Sequence, residues 1–134
     1  MDEELSVRDG EDHVFYHQFN HIENIKYVLV DYDGLEAIGC GDIKEFDSSA
    51  MEVKRMYTRP IYRGKGIASK ILGALEKWAQ ELSFQKCILE TGIKQPEAIA
   101  LYKKNGYTII ENYGQYAGVL KSICFEKRWK LVSP

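Results

Sequence analysis

The residues most suited to chemistry fall in one short stretch, Arg59-Pro60-Ile61-Tyr62-Arg63-Gly64-Lys65-Gly66-Ile67-Ala68. Two glycines within three residues, flanked by basic side chains, stand directly before an apolar periodic run. At a helix start the first N–H groups have no intrahelical partner, and the aligned peptide dipoles leave partial positive charge there. Glycines let a ligand approach the backbone, and Arg63 and Lys65 add full charges. A phosphate or pyrophosphate is the natural guest. The alternative is that Gly64 and Gly66 only make a tight strand-to-helix turn. The stretch is not a Walker loop, since no Gly-Lys-Ser/Thr closes it, and it lacks the third glycine of a dinucleotide fingerprint. His13, His17 and His21 repeat at i, i+4, but no acidic motif accompanies them and a metal is not expected. Cys40, Cys87 and Cys124 are odd in number and far apart, without a CxxC pair. They read as buried, reduced thiols of a cytoplasmic protein.

The elements that must position this loop follow from hydrophobic period. Tyr27–Asp31 is a β-branched and aromatic strand, Asp33-Gly34 a hairpin signal, and Leu35–Ile43 a second strand with small residues in its middle. Asp47-Ser48-Ser49 is a turn, and Met51–Thr58 a third strand stopped by Pro60. Ile67, Ile71, Leu72, Leu75, Trp78, Ala79 and Leu82 then recur at helical spacing over about four turns. Lys86–Thr91 is a strand parallel to the third. A second helix runs from Pro96 to Lys104 with Asn105-Gly106 as its cap. Tyr107–Ile110 and Ser122–Trp129 are strands joined by the Tyr/Gly-rich loop Asn112–Gly118. Residues 1–24 are polar, with Phe15, Tyr16 and Phe19 clustered, and allow one or two short helices. The expected architecture is a mixed α/β sheet with helices packed on it, as one domain spanning 1–134.

Composition bounds the function classes. The chain has 134 residues, 45% hydrophobic and 28% charged, and 18 basic against 20 acidic side chains give a net charge of −2. The overall charge is no footprint for nucleic acid or an anionic membrane. No apolar run reaches the roughly 20 residues of a membrane span, and the acidic start has no secretory signal. Positive charge is concentrated instead at Arg59, Arg63 and Lys65.

Arg63-x-x-Gly66-x-Ala68 resembles the pyrophosphate loop of the GCN5-related N-acetyltransferases (GNAT family). The preceding Met56-Tyr57-Thr58-x-Pro60 is similar to that family's fourth strand. Ala98-Ile99-Ala100-Leu101-Tyr102-Lys103-Lys104-Asn105-Gly106-Tyr107 is similar to its Ala-x-x-Leu-Tyr-x-x-x-Gly-Phe/Tyr segment. Glu90-Thr91-Gly92-x-x-Gln95-Pro96-Glu97-Ala98 resembles a bacterial branch of small-molecule acetyltransferases. The likeness runs from about Tyr27 to Trp129.

The resemblance implies a mainly antiparallel twisted sheet, helices on both faces, a central βαβ unit, and acetyl-CoA as donor without a metal. Main-chain groups of Met56 and Thr58, with Tyr57 between them, would pair with the pantetheine arm. Arg63, Gly64, Lys65, Gly66, Ile67, Ala68 and Ser69 would hold the pyrophosphate. Gln95 stands where the family usually has Asn against the cofactor arm. Tyr102 matches the tyrosine that protonates the departing thiolate; a phenol with pKa near ~10 suits that task. Glu52, eleven residues before Arg63, has the spacing of a glutamate base, with Glu90 second. A structural ion pair of Glu52 with Lys54, on its own strand face, is the competing role. Tyr113 and Tyr116 either wall an acceptor pocket or merely close a hairpin. The family's first strand and part of its first helix are expected to be missing. The function expected is direct acetyl transfer to a small amine or amino-acid-like acceptor. The alternative is a non-catalytic acyl-CoA-binding or sensing domain. No nucleic-acid or membrane partner is expected, and a homodimer is compatible with this reading.

Overall fold

A computed structural model describes residues 27–130. The expectations for residues 1–24, including His13, His17 and His21 and the missing first strand, lie outside the described residues.

Strands β1 (Tyr27–Asp33), β2 (Glu36–Glu45) and β3 (Ala50–Thr58) form an antiparallel meander. Gly34 turns the first hairpin with φ +62°, a conformation L side chains rarely adopt. At the second turn Asp47 Oδ1 accepts from the N–H groups of Ser49 and Ala50, at 2.9 Å each. Helix α1 (Ile67–Glu81) crosses from β3 to the parallel strand β4 (Lys86–Gly92). Helix α2 (Pro96–Lys104) leads to β5 (Thr108–Ile110) and β6 (Ser122–Arg128). The sheet order is β1-β2-β3-β4-β6-β5, with β3·β4 its one parallel pairing.

The apolar stripe foreseen on α1 is what buries the helix. Ile71, Leu72, Leu75 and Ala79 are buried against Ile43, Met51, Val53, Leu89 and Phe125. The small residues of β2 explain how close α1 lies. A Cβ on Gly39 would stand 2.9 Å from Ile71 Cδ1, and one on Gly41 would stand 3.1 Å from Leu75 Cδ1. The helix ends without a glycine. Ser83 takes φ +71°, and the Phe84 N–H closes the turn on the Ala79 carbonyl at 3.0 Å. Cys40, Cys87 and Cys124 are buried free thiols, as the sequence leads one to expect.

Candidate active site

The site is built where two parallel strands part. β3 and β4 pair only at Ala50↔Lys86, Met51↔Cys87 and Glu52↔Ile88. From Val53 onward β3 stays on β2 and gives nothing to β4, while β4 continues on β6. A register shift between Cys40 and Asp42, with Arg55 at φ +55°, bends β3 away. The Arg59 N–H bonds to the Ile38 carbonyl of β2. Strand alternation therefore turns the main-chain groups of Thr58 away from β2.

The chain then turns through Pro60–Tyr62 and the two glycines into α1. Gly64 has φ +76° and Gly66 φ +83°, so glycine is needed at both for the backbone alone. A Cβ on either would meet nothing within 4 Å, which leaves the face above the α1 N-terminus open to a ligand. Arg63, Gly64, Lys65 and Gly66 are exposed, and Ile67, Ala68 and Ser69 are half-buried. The open N–H groups of a 15-residue helix, with no acidic residue in its first turn, suit a pyrophosphate.

The basic side chains are arranged differently from the sequence expectation. Arg59 is buried; its Nε donates to the Ala37 carbonyl and lies 3.9 Å from Glu36 Oε2. Its charge is spent inside the fold, so Arg59 drops out of the anion site. Arg63 donates from Nε to the Thr58 carbonyl at 2.8 Å, with its guanidinium over the Tyr57 ring. Lys65 lies over the Tyr62 ring, whose hydroxyl donates to Asp33 and Glu36. The loop is thus fastened to the β1–β2 hairpin.

Helix α2 is tied to the same loop. Asn105 Nδ2 donates to Ser69 Oγ at 3.0 Å and to the Leu101 carbonyl at 2.8 Å. This tether was missed in the sequence, where Asn105 read only as a cap. One turn earlier on α2, Tyr102 is buried against Tyr107 and Phe125. Burial pushes its hydroxyl up to about 12, and the charge of Glu90 adds to the effect. The phenol therefore stays protonated at neutral pH. Gln95 is exposed at the start of α2, with its N–H on the Gly92 carbonyl.

On the sheet face opposite α1, Glu52 is buried, and both its oxygens are engaged. Oε2 accepts from the Tyr113 hydroxyl at 2.7 Å, and Oε1 lies 3.7 Å from Lys54 Nζ. The ion pair weighed from sequence is present, and a second partner joins it. Glu90 accepts from Ser122 Oγ at 2.6 Å. The hydroxyl of Tyr116 and the thiol of Cys124 are both raised by burial first and, in part, by the charges of Glu52 and Glu90. Both carboxylates therefore face one region. Among the described residues no group of His, Cys, Asp and Glu could hold a metal.

A six-stranded, mostly antiparallel sheet that splays beside a glycine-capped helix defines an acyltransferase fold. The chain belongs to the acetyltransferase (GNAT) family, whose family model matches residues 2–107. N-acetyltransferase YjgM of Escherichia coli, itself uncharacterised, is 39% identical over 63% of this chain and 52% of its own length. IAA acetyltransferase of Azospirillum brasilense is 32% identical over 78% of this chain and 68% of its own. A Klebsiella pneumoniae structure described as an acyl-CoA N-acyltransferase superposes with TM-score 0.74 at 31% identity, covering 88% of this chain and 85% of that one. A GNAT acetyltransferase from Elizabethkingia anophelis, solved with acetyl-CoA bound, superposes with TM-score 0.67 at 17% identity over 76% and 75%. The chain spans about half the length of several curated relatives that it matches.

Proposed function

We propose that this chain is a single N-acetyltransferase-like domain over residues 1–134, which moves an acetyl group from acetyl-CoA to the amine of a small acceptor. The observation that carries the reading is the glycine-capped N-terminus of α1, open beside the gap between β3 and β4. The residues fit the donor. The N–H groups from Arg63 to Ala68 would hold the pyrophosphate, and the main chain of Met56 and Thr58 would pair with the pantetheine arm. Gln95 would reach that arm from the start of α2.

Transfer needs a neutral amine, since an alkylammonium keeps its proton up to about pH 10. Glu52 takes that proton, and Glu90 is the second candidate. The amine nitrogen bonds to the thioester carbon, whose carbonyl a β3 N–H polarises. The carbon–sulfur bond breaks, Tyr102 gives its hydroxyl proton to the leaving sulfur, and the surplus proton on the new amide nitrogen passes to the Tyr102 oxygen, restoring the phenol. A small-molecule acceptor is supported by the acceptor named for the Azospirillum relative. A cytoplasmic location is supported by the three free, buried thiols.

The test is acetyl-CoA-dependent thiol release across a panel of primary amines. At least one amine should raise the release rate, and Tyr102→Phe should lower kcat about 100-fold with KM for acetyl-CoA unchanged. Acetyl-CoA binding without release for any amine would overturn the reading in favour of a binding domain. An equal rate in Tyr102→Phe would remove Tyr102 from the chemistry.

A further inference from the structure

Tyr113 belongs to the loop before β6, yet its hydroxyl reaches past β4 to a carboxylate on β3. Its surroundings leave it little freedom. Phe46, from the β2–β3 turn, meets its ring edge-on at 5.1 Å, and Tyr116 meets it at 5.7 Å. The loop that carries it is stapled at its base, where Asn112 Nδ2 donates to the carbonyls of Val119 at 3.0 Å and Ser122 at 3.1 Å. Gly114 takes φ +53°, and a Cβ there would stand 3.5 Å from Phe46 Cε1. The β2–β3 turn and the 112–122 stretch thus converge to aim one hydroxyl at Glu52.

We propose that Tyr113 is a positioning residue, fixing the Glu52 carboxylate in the orientation from which it takes the acceptor's proton. The proposal rests on Glu52 as base. Burial and the Glu52 bond both hold the Tyr113 hydroxyl protonated, so it does not serve as a base in its own right. A phenol that always donates is suited to hold a carboxylate. It takes one lone-pair direction of Oε2 and leaves others free for the amine. Lys54 holds Oε1 from the same strand. Among the described residues, the other charged or titratable groups on this side are Asp42 and Lys44 of β2, Glu90 of β4, Tyr116 of the loop and Cys124 of β6. The Tyr113 hydroxyl, donating at 2.7 Å, is the contact that orients Oε2.

A double-mutant cycle in amine-dependent thiol release tests this. Tyr113→Phe keeps the ring contacts and removes only the donor. It should lower kcat about 10-fold, leave KM for acetyl-CoA unchanged, and move the acidic limb of the kcat/KM–pH profile to higher pH. In a Glu52→Gln background the same substitution should cost nothing further. Equal losses in both backgrounds would overturn the proposal, because Tyr113 would then act on the acceptor independently of Glu52. An unchanged rate in Tyr113→Phe alone would overturn it too. Should Glu52→Gln by itself leave rate and pH profile intact, the base assignment fails, and that single variant shows it before the cycle is closed.

Discussion

Asp42 is the side chain that the site chemistry leaves unexplained. It is fully buried on β2, and neither carboxylate oxygen has a hydrogen-bond partner among the described residues. Burial pushes its carboxyl up to about 6, with the charges of Arg55 and Lys54 pulling the other way. A folded value above the ordinary 3.8 means that the fold favours the neutral acid. Its contribution to stability is intact below about pH 4 and is lost as pH rises through about 6. Asp42→Asn should therefore be more stable than the parent at pH 8, by about 3 kcal/mol, with the difference closing toward pH 4. Urea midpoints across that range check the sign; a difference independent of pH would contradict it. Sequence reasoning could not find this residue. An Asp in a strand reads as solvated, and only the register of β1 and β3 on either side of it reveals the burial. The same holds for Arg59, which read as an anion ligand and is a structural cation.

At the scale of elements, α1 was legible because its apolar stripe has one period throughout. The loop before it was legible because glycine, charge and a helix start coincide. Gly66 at the start of α1 and Gly73 inside it carry opposite predictions. Gly66→Ala meets no steric obstacle, yet forces a Cβ onto φ +83° at the cap. It should cost about 1–2 kcal/mol in stability and weaken acetyl-CoA binding about 10-fold as the first N–H groups shift. Gly73, inside α1, also has open space around it but no left-handed backbone. Gly73→Ala should raise stability by about 0.5–1 kcal/mol and leave acetyl-CoA affinity as it was. Calorimetric titration beside denaturant unfolding separates the two. Contacts between distant elements were not legible. The Asn105–Ser69 and Tyr113–Glu52 bonds join residues 36 and 61 positions apart, and neither spacing has a periodic signature.

For the whole molecule, the decisive feature is that β3 leaves β4 after three paired residues while β4 continues on β6. One sheet thereby presents two edges into a single opening. The α1 N-terminus stands beside it, and Glu52 and Glu90 share the face away from α1. Element order and the parallel step could be read from hydrophobic period. The splay could not, because it depends on a bulge set by Arg55 and the close approach of Gly41 to Met56, where an added Cβ would stand 2.5 Å from the sulfur. The account stands or falls on this opening taking an acyl thioester by its pyrophosphate. The direct measurement is kcat/KM for amine-dependent thiol release from acetyl-CoA and from S-acetylpantetheine, which lacks the pyrophosphate. Loss of two charge-assisted bonds should make acetyl-CoA better by about 100-fold or more. Equal kcat/KM for the two donors, or no amine-dependent release from either, would contradict it.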